Sequence, residues 1–369
     1  MKAPGVYLNE IFQQPEVILR TGILGFVGLS TAKEFQDKFY PLNRKEDLDN
    51  SPVQEDSFLK QSIIGFFANG GTRCYVVLVD PTGDVENALT KAFAPLDDVD
   101  LVAVPDAVND AVNQRYGDVR IKVQQAVLKH CSNQGNRFAI LDVKTVDGIK
   151  EELESIKQGL DDYVLRNVAL YYPWLKNTQG RWVPPCGHIA GIFARSDRAR
   201  GVFKAPANEE IHDAVNLQVL IDNSDQGEFN SQGINCLRAF PGKGIRIWGA
   251  RTLSSDINWR YINVQRLFIT IKRWIDLNMS WAVFEPNTPQ LWVRIQRELD
   301  AYLTQLWRSG AFKGKTPKEA FYVKCNAETN PSESRERGNV VTEIGFAPAS
   351  PAEFIIVQIT HRANTTEQS

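Results

Sequence analysis

The chain has 369 residues, 43% hydrophobic and 23% charged, a globular composition long enough for two domains or one large one. Its 42 Lys and Arg against 44 Asp and Glu leave a formal net charge of −2, which excludes the broad basic field that attracts nucleic acid. No apolar run approaches the roughly 18 residues that cross a membrane, and no basic-then-apolar leader opens the sequence. Cys74, Cys131, Cys186, Cys236 and Cys325 stand singly, without CxxC spacing, so free thiols in a reducing compartment are expected rather than a disulfide framework or a zinc site.

In chain order, "PGVYLNEI" reads as a strand ahead of any core. "GILGFVGLS" (22–30) reads as a buried strand, and "SFLKQSIIGFFANGG" as a helix stopped by Asn69, Gly70 and Gly71. "RCYVVLVD" is the next buried strand. Then "VDLVAVPDA", "RFAILDV" and "NVALYYPWL" read as strands, with helices in "RIKVQQAVLKHCSN" and "VDGIKEELESIKQGL" between them. Alternation of this length predicts an α/β domain with a largely parallel sheet, and the near-continuous apolar runs suit strands covered on both faces.

After about residue 250 the pattern changes. "NWRYINVQRLFITIKRWIDLNMSW" carries Tyr261, Val264, Leu267, Phe268, Ile271 and Ile275 on one helical face. "TPQLWVRIQRELDAYLTQLWRSG" repeats the theme with Leu291, Ile295, Leu299, Tyr302, Leu303 and Leu306, with Gly310 just past its end. "AFYVKC" and "NVVTEIGFA" read as a hairpin joined by a polar, mobile connection. "PAEFIIVQIT" closes the chain as a strand whose approach is stiffened by Pro348 and Pro351.

No motif reaches enzyme grade. The glycines of "FFANGGTRCY" follow a helix and precede a strand, the reverse of a phosphate cradle. Asp106, His130 and a serine could assemble a hydrolase triad, but no G-x-S-x-G elbow accompanies them. Arg238, Arg246 and Arg251 in "GINCLRAFPGKGIRIWGARTL" could bind a carboxylate or phosphate, though structural pairing or an interface suits them better. Glu285 in "FEPNTPQLW" lacks a partner carboxylate. Thr288 there is placed to cap a helix, with Pro289 at its first position. No cofactor or metal is expected.

These stretches also carry a resemblance. "PGVYLNEI", "NGGTRCYVV", "LVAVPDA", "RFAILDV", "ALYYPWL", "VPPCGHIAGIFARSDRARGVFKAPAN", "GINCLRAFPGKGIRIWGARTL", "WRYINVQRL", "FEPN", "GAFKG", "EAFYVKC" and "APASPAEFIIVQI" follow in that order. Together, over about residues 1–362, they resemble the contractile tail sheath proteins of phages, R-type bacteriocins and extracellular injection particles.

The resemblance implies an α/β chain, α+β overall, with a subtilisin-like outer domain that lacks the active site. It further implies an N-terminal arm over 1–20, the outer domain over 21–250, an inner tube-facing domain over 251–346 and a C-terminal arm over 347–369. The arms would donate strands (Val6, Tyr7 and Leu8; Phe354, Ile355, Ile356, Val357 and Ile359) to an acceptor hairpin of Phe321, Val323, Val341 and Ile344 in neighbouring copies. Arg294, Arg297 and Arg308 would face an inner tube. Hexameric rings would stack around that tube and contract to drive it through an envelope, with baseplate, terminal cap and sister sheath chains as further partners. Assembly would take place in the bacterial cytoplasm, as part of a phage tail or a released particle. The competing reading is an α/β hydrolase using the middle domain.

Overall fold

The computed structural model describes residues 19–36, 38–144 and 148–353. In chain order it runs β1 (Leu24–Leu29), β2 (Phe39–Leu42), α1 (Phe58–Ala68), β3 (Cys74–Val79), α2 (Val85–Phe93), β4 (Leu101–Ala103), α3 (Asp110–Tyr116), α4 (Arg120–Gln134), β5 (Phe138–Asp142), α5 (Ile149–Lys157), α6 (Asp162–Leu165) and β6 (Val168–Tyr172). There follow β7 (Leu175–Asn177), β8 (Trp182–Val183), α7 (Cys186–Arg200), β9 (Ala214–Leu217), α8 (Asn223–Ser231), β10 (Ile234–Phe240) and β11 (Gly244–Trp248). The last part holds α9 (Ile262–Asn278), α10 (Pro289–Arg308), α11 (Pro317–Ala320), β12 (Phe321–Lys324), α12 (Ser332–Glu336) and β13 (Glu343–Phe346).

Eight strands form one sheet in the order β11-β10-β6-β5-β4-β1-β3-β2. The inner six pair in parallel, while β2 and β11 close the two edges antiparallel. Period-2 alternation sends Val27, Leu29, Val77 and Val79 to one face, beneath α2, α4 and α5. Leu24, Phe26, Val76 and Leu78 go to the other face, beneath α1 and α7. Both faces being covered, β1, β3, β5 and β6 are buried along their whole length. The stretch "VDLVAVPDA" yields only the three residues of β4, because Pro105 opens a 3₁₀ turn.

The capping residues are local. Ser57 Oγ accepts from Lys60 N at 3.1 Å to start α1, and Asp222 Oδ1 accepts from Asp225 N at 2.8 Å to start α8. Helices α1 and α7 approach closely because α7 carries glycine at the contact. A Cβ on Gly187 would lie 2.1 Å from Ser62 O, and one on Gly191 would lie 2.3 Å from Phe66 O. Thr288 occupies the position before α10 but makes no side-chain cap there; Pro289 does hold the first turn, as expected.

A further core lies beyond the sheet. Leu267, Ile271 and Trp274 of α9 pack with Leu291, Ile295, Leu299 and Leu303 of α10 and with Phe312, Phe321 and Val323. Trp274 and Tyr302 stack with ring centroids 3.9 Å apart. Helix α9 is not the one-faced surface helix that its periodicity predicts. Ile262 and Ile269 belong to the core between the sheet and α7, so the helix is covered on opposite sides, with Asn263, Gln265, Arg266 and Arg273 also buried.

Candidate functional site

The hairpin forms from alternating short runs. β12 and β13 pair antiparallel with Phe321 opposite Phe346, Val323 opposite Ile344 and Lys324 opposite Glu343. Phe321 and Val323 are buried against the α10 core, with Ile344 and Phe346 half-buried beside them. On the outer face Tyr322 donates its hydroxyl to Glu343 Oε1 at 2.6 Å. Its ring lies over Gly345, where a Cβ would come within 2.2 Å of it. Among the described residues this sheet has two strands, so each strand has one edge without a strand partner.

Val341 falls outside β13, although "NVVTEIGFA" reads as a strand that includes it. The buried Asn330 side chain takes both of its backbone groups, accepting from Val341 N at 2.7 Å and donating to Val341 O at 2.9 Å. Within the connection Asn326 and Thr329 bond one another across a turn, and α12 follows.

The chain enters and leaves this body at pinned points. Asp100 accepts from Gly22 N at 3.1 Å and from Ile23 N at 2.8 Å, while Arg273 donates to Arg20 O at 3.3 Å. The same Asp100 meets Arg266, which also grips Asp197. Burial opposes the Arg266 charge, but Asp197 and then Asp100 outweigh it and hold the guanidinium firmly protonated. At the other end Arg251 binds Glu353. Val6, Tyr7, Leu8, Phe354, Ile355, Ile356, Val357 and Ile359 lie outside the described residues.

The three arginines of α10 are not equivalent. Arg297 and Arg308 are exposed, on a side of α10 that also exposes Val293 and Ala301. Arg294 is engaged: its guanidinium lies 3.6 Å from the Trp281 ring centroid and its Nε bonds Glu298 at 3.4 Å. The adjoining turn holds Phe284 at φ 68°, fully exposed.

The residues weighed as catalytic are engaged elsewhere. Asp106 accepts from Leu59 N at 3.1 Å at the start of α1, and burial raises its carboxyl to about 6. Asp142 does the same for α7 through Cys186 N at 2.9 Å, its carboxyl pushed by burial to about 7. His130 lies against the Phe93 ring and beside Arg137; burial, then the Arg137 charge, lowers its pKa to about 3. Arg238 bonds Asn223, and Arg246 bonds Lys243 O and Asn208 O, so both are paired structurally. All five cysteines are buried and free, and no metal-binding cluster occurs among the described residues. No described helix is long and apolar enough to cross a membrane.

Residues 82–253 match the phage tail sheath protein central domain, and residues 254–362 match the phage tail sheath C-terminal domain. The structure is similar to the sheath chain of PVC, an extracellular contractile injection system in its contracted state: 30% identical, covering 98% of each chain, TM-score 0.79. The chain belongs to the phage tail sheath family. It is also similar to the contracted helical sheath of the anti-feeding prophage, at 29% identity over 98% of this chain and 100% of that one, TM-score 0.79. Among curated sheath proteins, that of Vibrio phage KVP40 is 30% identical over 183 residues, 48% of this chain and 26% of the phage protein. That of Salmonella phage ViI is 29% identical over 178 residues, 47% of this chain and 27% of the phage protein. The match thus spans about a quarter of each of these two phage sheaths, and nearly all of the two particle sheaths. The sheath family is a structural one, and with Asp106 and His130 both engaged the hydrolase reading finds no support.

Proposed function

We propose that the chain is a structural subunit of a contractile injection sheath, polymerising as stacked hexameric rings around an inner tube and contracting to drive that tube through an envelope. The observation that carries this reading is the match in fold and length to two contractile particle sheaths. The two open edges of the β12–β13 sheet support its assembly rule. The N-terminal arm of one neighbour, through Val6, Tyr7 and Leu8, and the strand after Glu353 of another complete that sheet, along Phe321 and Val323 on one side and Ile344 on the other, up to the Val341 margin. A main-chain hydrogen bond nets only about 1 kcal/mol, but a row of them with a buried face, repeated around a ring, holds the assembly while whole copies rotate.

In this reading the eight-stranded body is the outer, subtilisin-like domain, and the α9–α10–hairpin body faces the tube. Arg297 and Arg308, with Arg294 behind them, meet an acidic stripe on the tube. Exposed charges suit a grip that must release, since single surface ion pairs are weak. A baseplate and a terminal cap bound the stack, and the particle assembles in a bacterial cytoplasm before release.

Electron microscopy of the chain expressed alone and with its cognate tube protein tests the proposal. Striated hollow cylinders are expected, and they should disappear on deletion of residues 1–18. Monodisperse monomers under both conditions would end it.

A further inference from the structure

Residues 347–353 cross from the hairpin to the large sheet, and they are tied at both ends. Near the hairpin, Lys313 N donates to Ala347 O at 2.8 Å, Ala347 N to Ala320 O at 2.9 Å and Ala349 N to Ala311 O at 2.9 Å. The buried Asn263 of α9 donates to Ala349 O at 2.9 Å. At the far end Glu353 accepts from Arg251 Nε at 2.9 Å and Nη2 at 2.5 Å, a two-pronged pair with each side chain about seven-eighths buried.

Arg251 is itself immobilised. Its Nη1 donates to Asn230 O at 2.9 Å. Its backbone N–H donates to Asn235 Oδ1 at 2.7 Å, and its carbonyl accepts from Asn235 Nδ2 at 2.8 Å. Asn235 is fully buried in β10, inside the large sheet. Glu353 is therefore connected, through one arginine, to the interior of the sheet and not to the hairpin from which its own strand came.

We infer that the Arg251–Glu353 pair anchors the strand-donating C-terminal segment, passing a pull on residues beyond 353 to the large sheet before it reaches β13. The inference rests on the strand-donation reading above. Without the anchor, tension would run back along 347–353 and peel 347–349 from 311–313. It would then open β13 from β12 one hydrogen bond at a time. β13 is one of the two strands that receive a neighbour's strand, so the anchor separates the donor role of a copy from its acceptor role. A guanidinium is required because only its rigid fork meets both carboxylate oxygens at once; a lysine reaches them as a single point charge.

The test uses the full chain expressed with its cognate tube protein, in the variants Glu353→Gln, Arg251→Lys, the exchanged pair Arg251→Glu/Glu353→Arg, and a truncation after Glu353. Melting of the purified chains is measured beside the yield of intact cylinders and the fraction that survive contraction unbroken. Glu353→Gln and Arg251→Lys are expected to melt lower than wild type while still folding at the assembly temperature, and to lose intact contracted sheaths severalfold, and the exchanged pair to recover them. The truncation is expected to abolish cylinders. If both single variants give unbroken sheaths in wild-type numbers while the truncation gives none, the anchor is overturned and strand donation stands. The same holds if the single variants lower melting alone, or if the exchanged pair stays as impaired as they are. A truncated chain that assembles and contracts normally would overturn strand donation and the anchor with it.

Discussion

Arg266 of α9 and Asp197 of α7 share two hydrogen bonds, 2.8 and 2.6 Å long, with both side chains almost completely buried. Asp100 joins them at 3.1 Å and with its other bonds holds Gly22 and Ile23, just ahead of β1. The cluster ties the C-terminal helical body to the sheet and to the chain's point of entry. Replacing Arg266 with Met should strand two buried carboxylates and cost about 3–5 kcal/mol, read as a lower urea midpoint.

Acidity should act on the helix caps. Asp142 ionises in the unfolded chain near 3.8 and in the folded chain at about 7, so the native state holds its proton more tightly. Its contribution is present in full below about 3.8 and is lost as pH rises through 7, each pKa unit being worth about 1.4 kcal/mol. Asp106, raised to about 6, acts in the same direction. His130 opposes both: held down to about 3, it contributes above 6.5 and loses that contribution as pH falls toward 3. Asp142→Asn keeps an acceptor for Cys186 N without the charge. Urea unfolding at several pH values from 5 to 8 should show this variant gaining on the wild type as pH rises, by about 2–3 kcal/mol across that interval.

The contact between α1 and α7 leaves no room for a methyl group. Gly187→Ala places carbon against the Ser62 carbonyl, and overpacking should cost at least about 1–3 kcal/mol in a thermal or urea melt. A melt unchanged by this substitution would mean that the helices can separate there freely.

Charge reversal on α10 should separate grip from fold. Arg297→Glu, on the exposed side, should leave melting within about 0.5 kcal/mol of wild type while reducing co-assembly with the tube. Arg294→Glu removes the Trp281 stack and the Glu298 bond as well, so it should also lower stability, by about 0.5–2 kcal/mol. Unchanged cylinder yield and length with Arg297→Glu would remove α10 from the tube contact.

How much was legible before the structure depended on whether a segment serves one neighbour or several. Helix α10 follows a single period, and the buried strands β3 and β5 are unbroken apolar runs, so all three are readable. α7 was not proposed as a helix: eleven of its fifteen residues are buried, so no polar face breaks its pattern, and its glycines are there for close packing. β2 carries Pro41 and sits at the sheet edge, and β7, β8 and β9 are two to four residues long, too short for alternation to register. Arg266 resembled one more charge on an amphipathic helix, because its partners are 69 and 166 positions away. For Arg251 the sequence favours structural pairing or an interface over a bound carboxylate or phosphate, and the structure pairs it with Glu353 of the same chain.

Ile262 and Ile269 of α9 lie in one core while Leu267, Ile271 and Trp274 of the same helix lie in another. A single rod is shared like an axle pressed through two wheels, and neither wheel can turn without stripping its seat. If copies assemble as proposed, the described part of each would then move as a solid block. Shortening of a stack of such blocks would be a problem of masonry: the same stones, set at a different pitch.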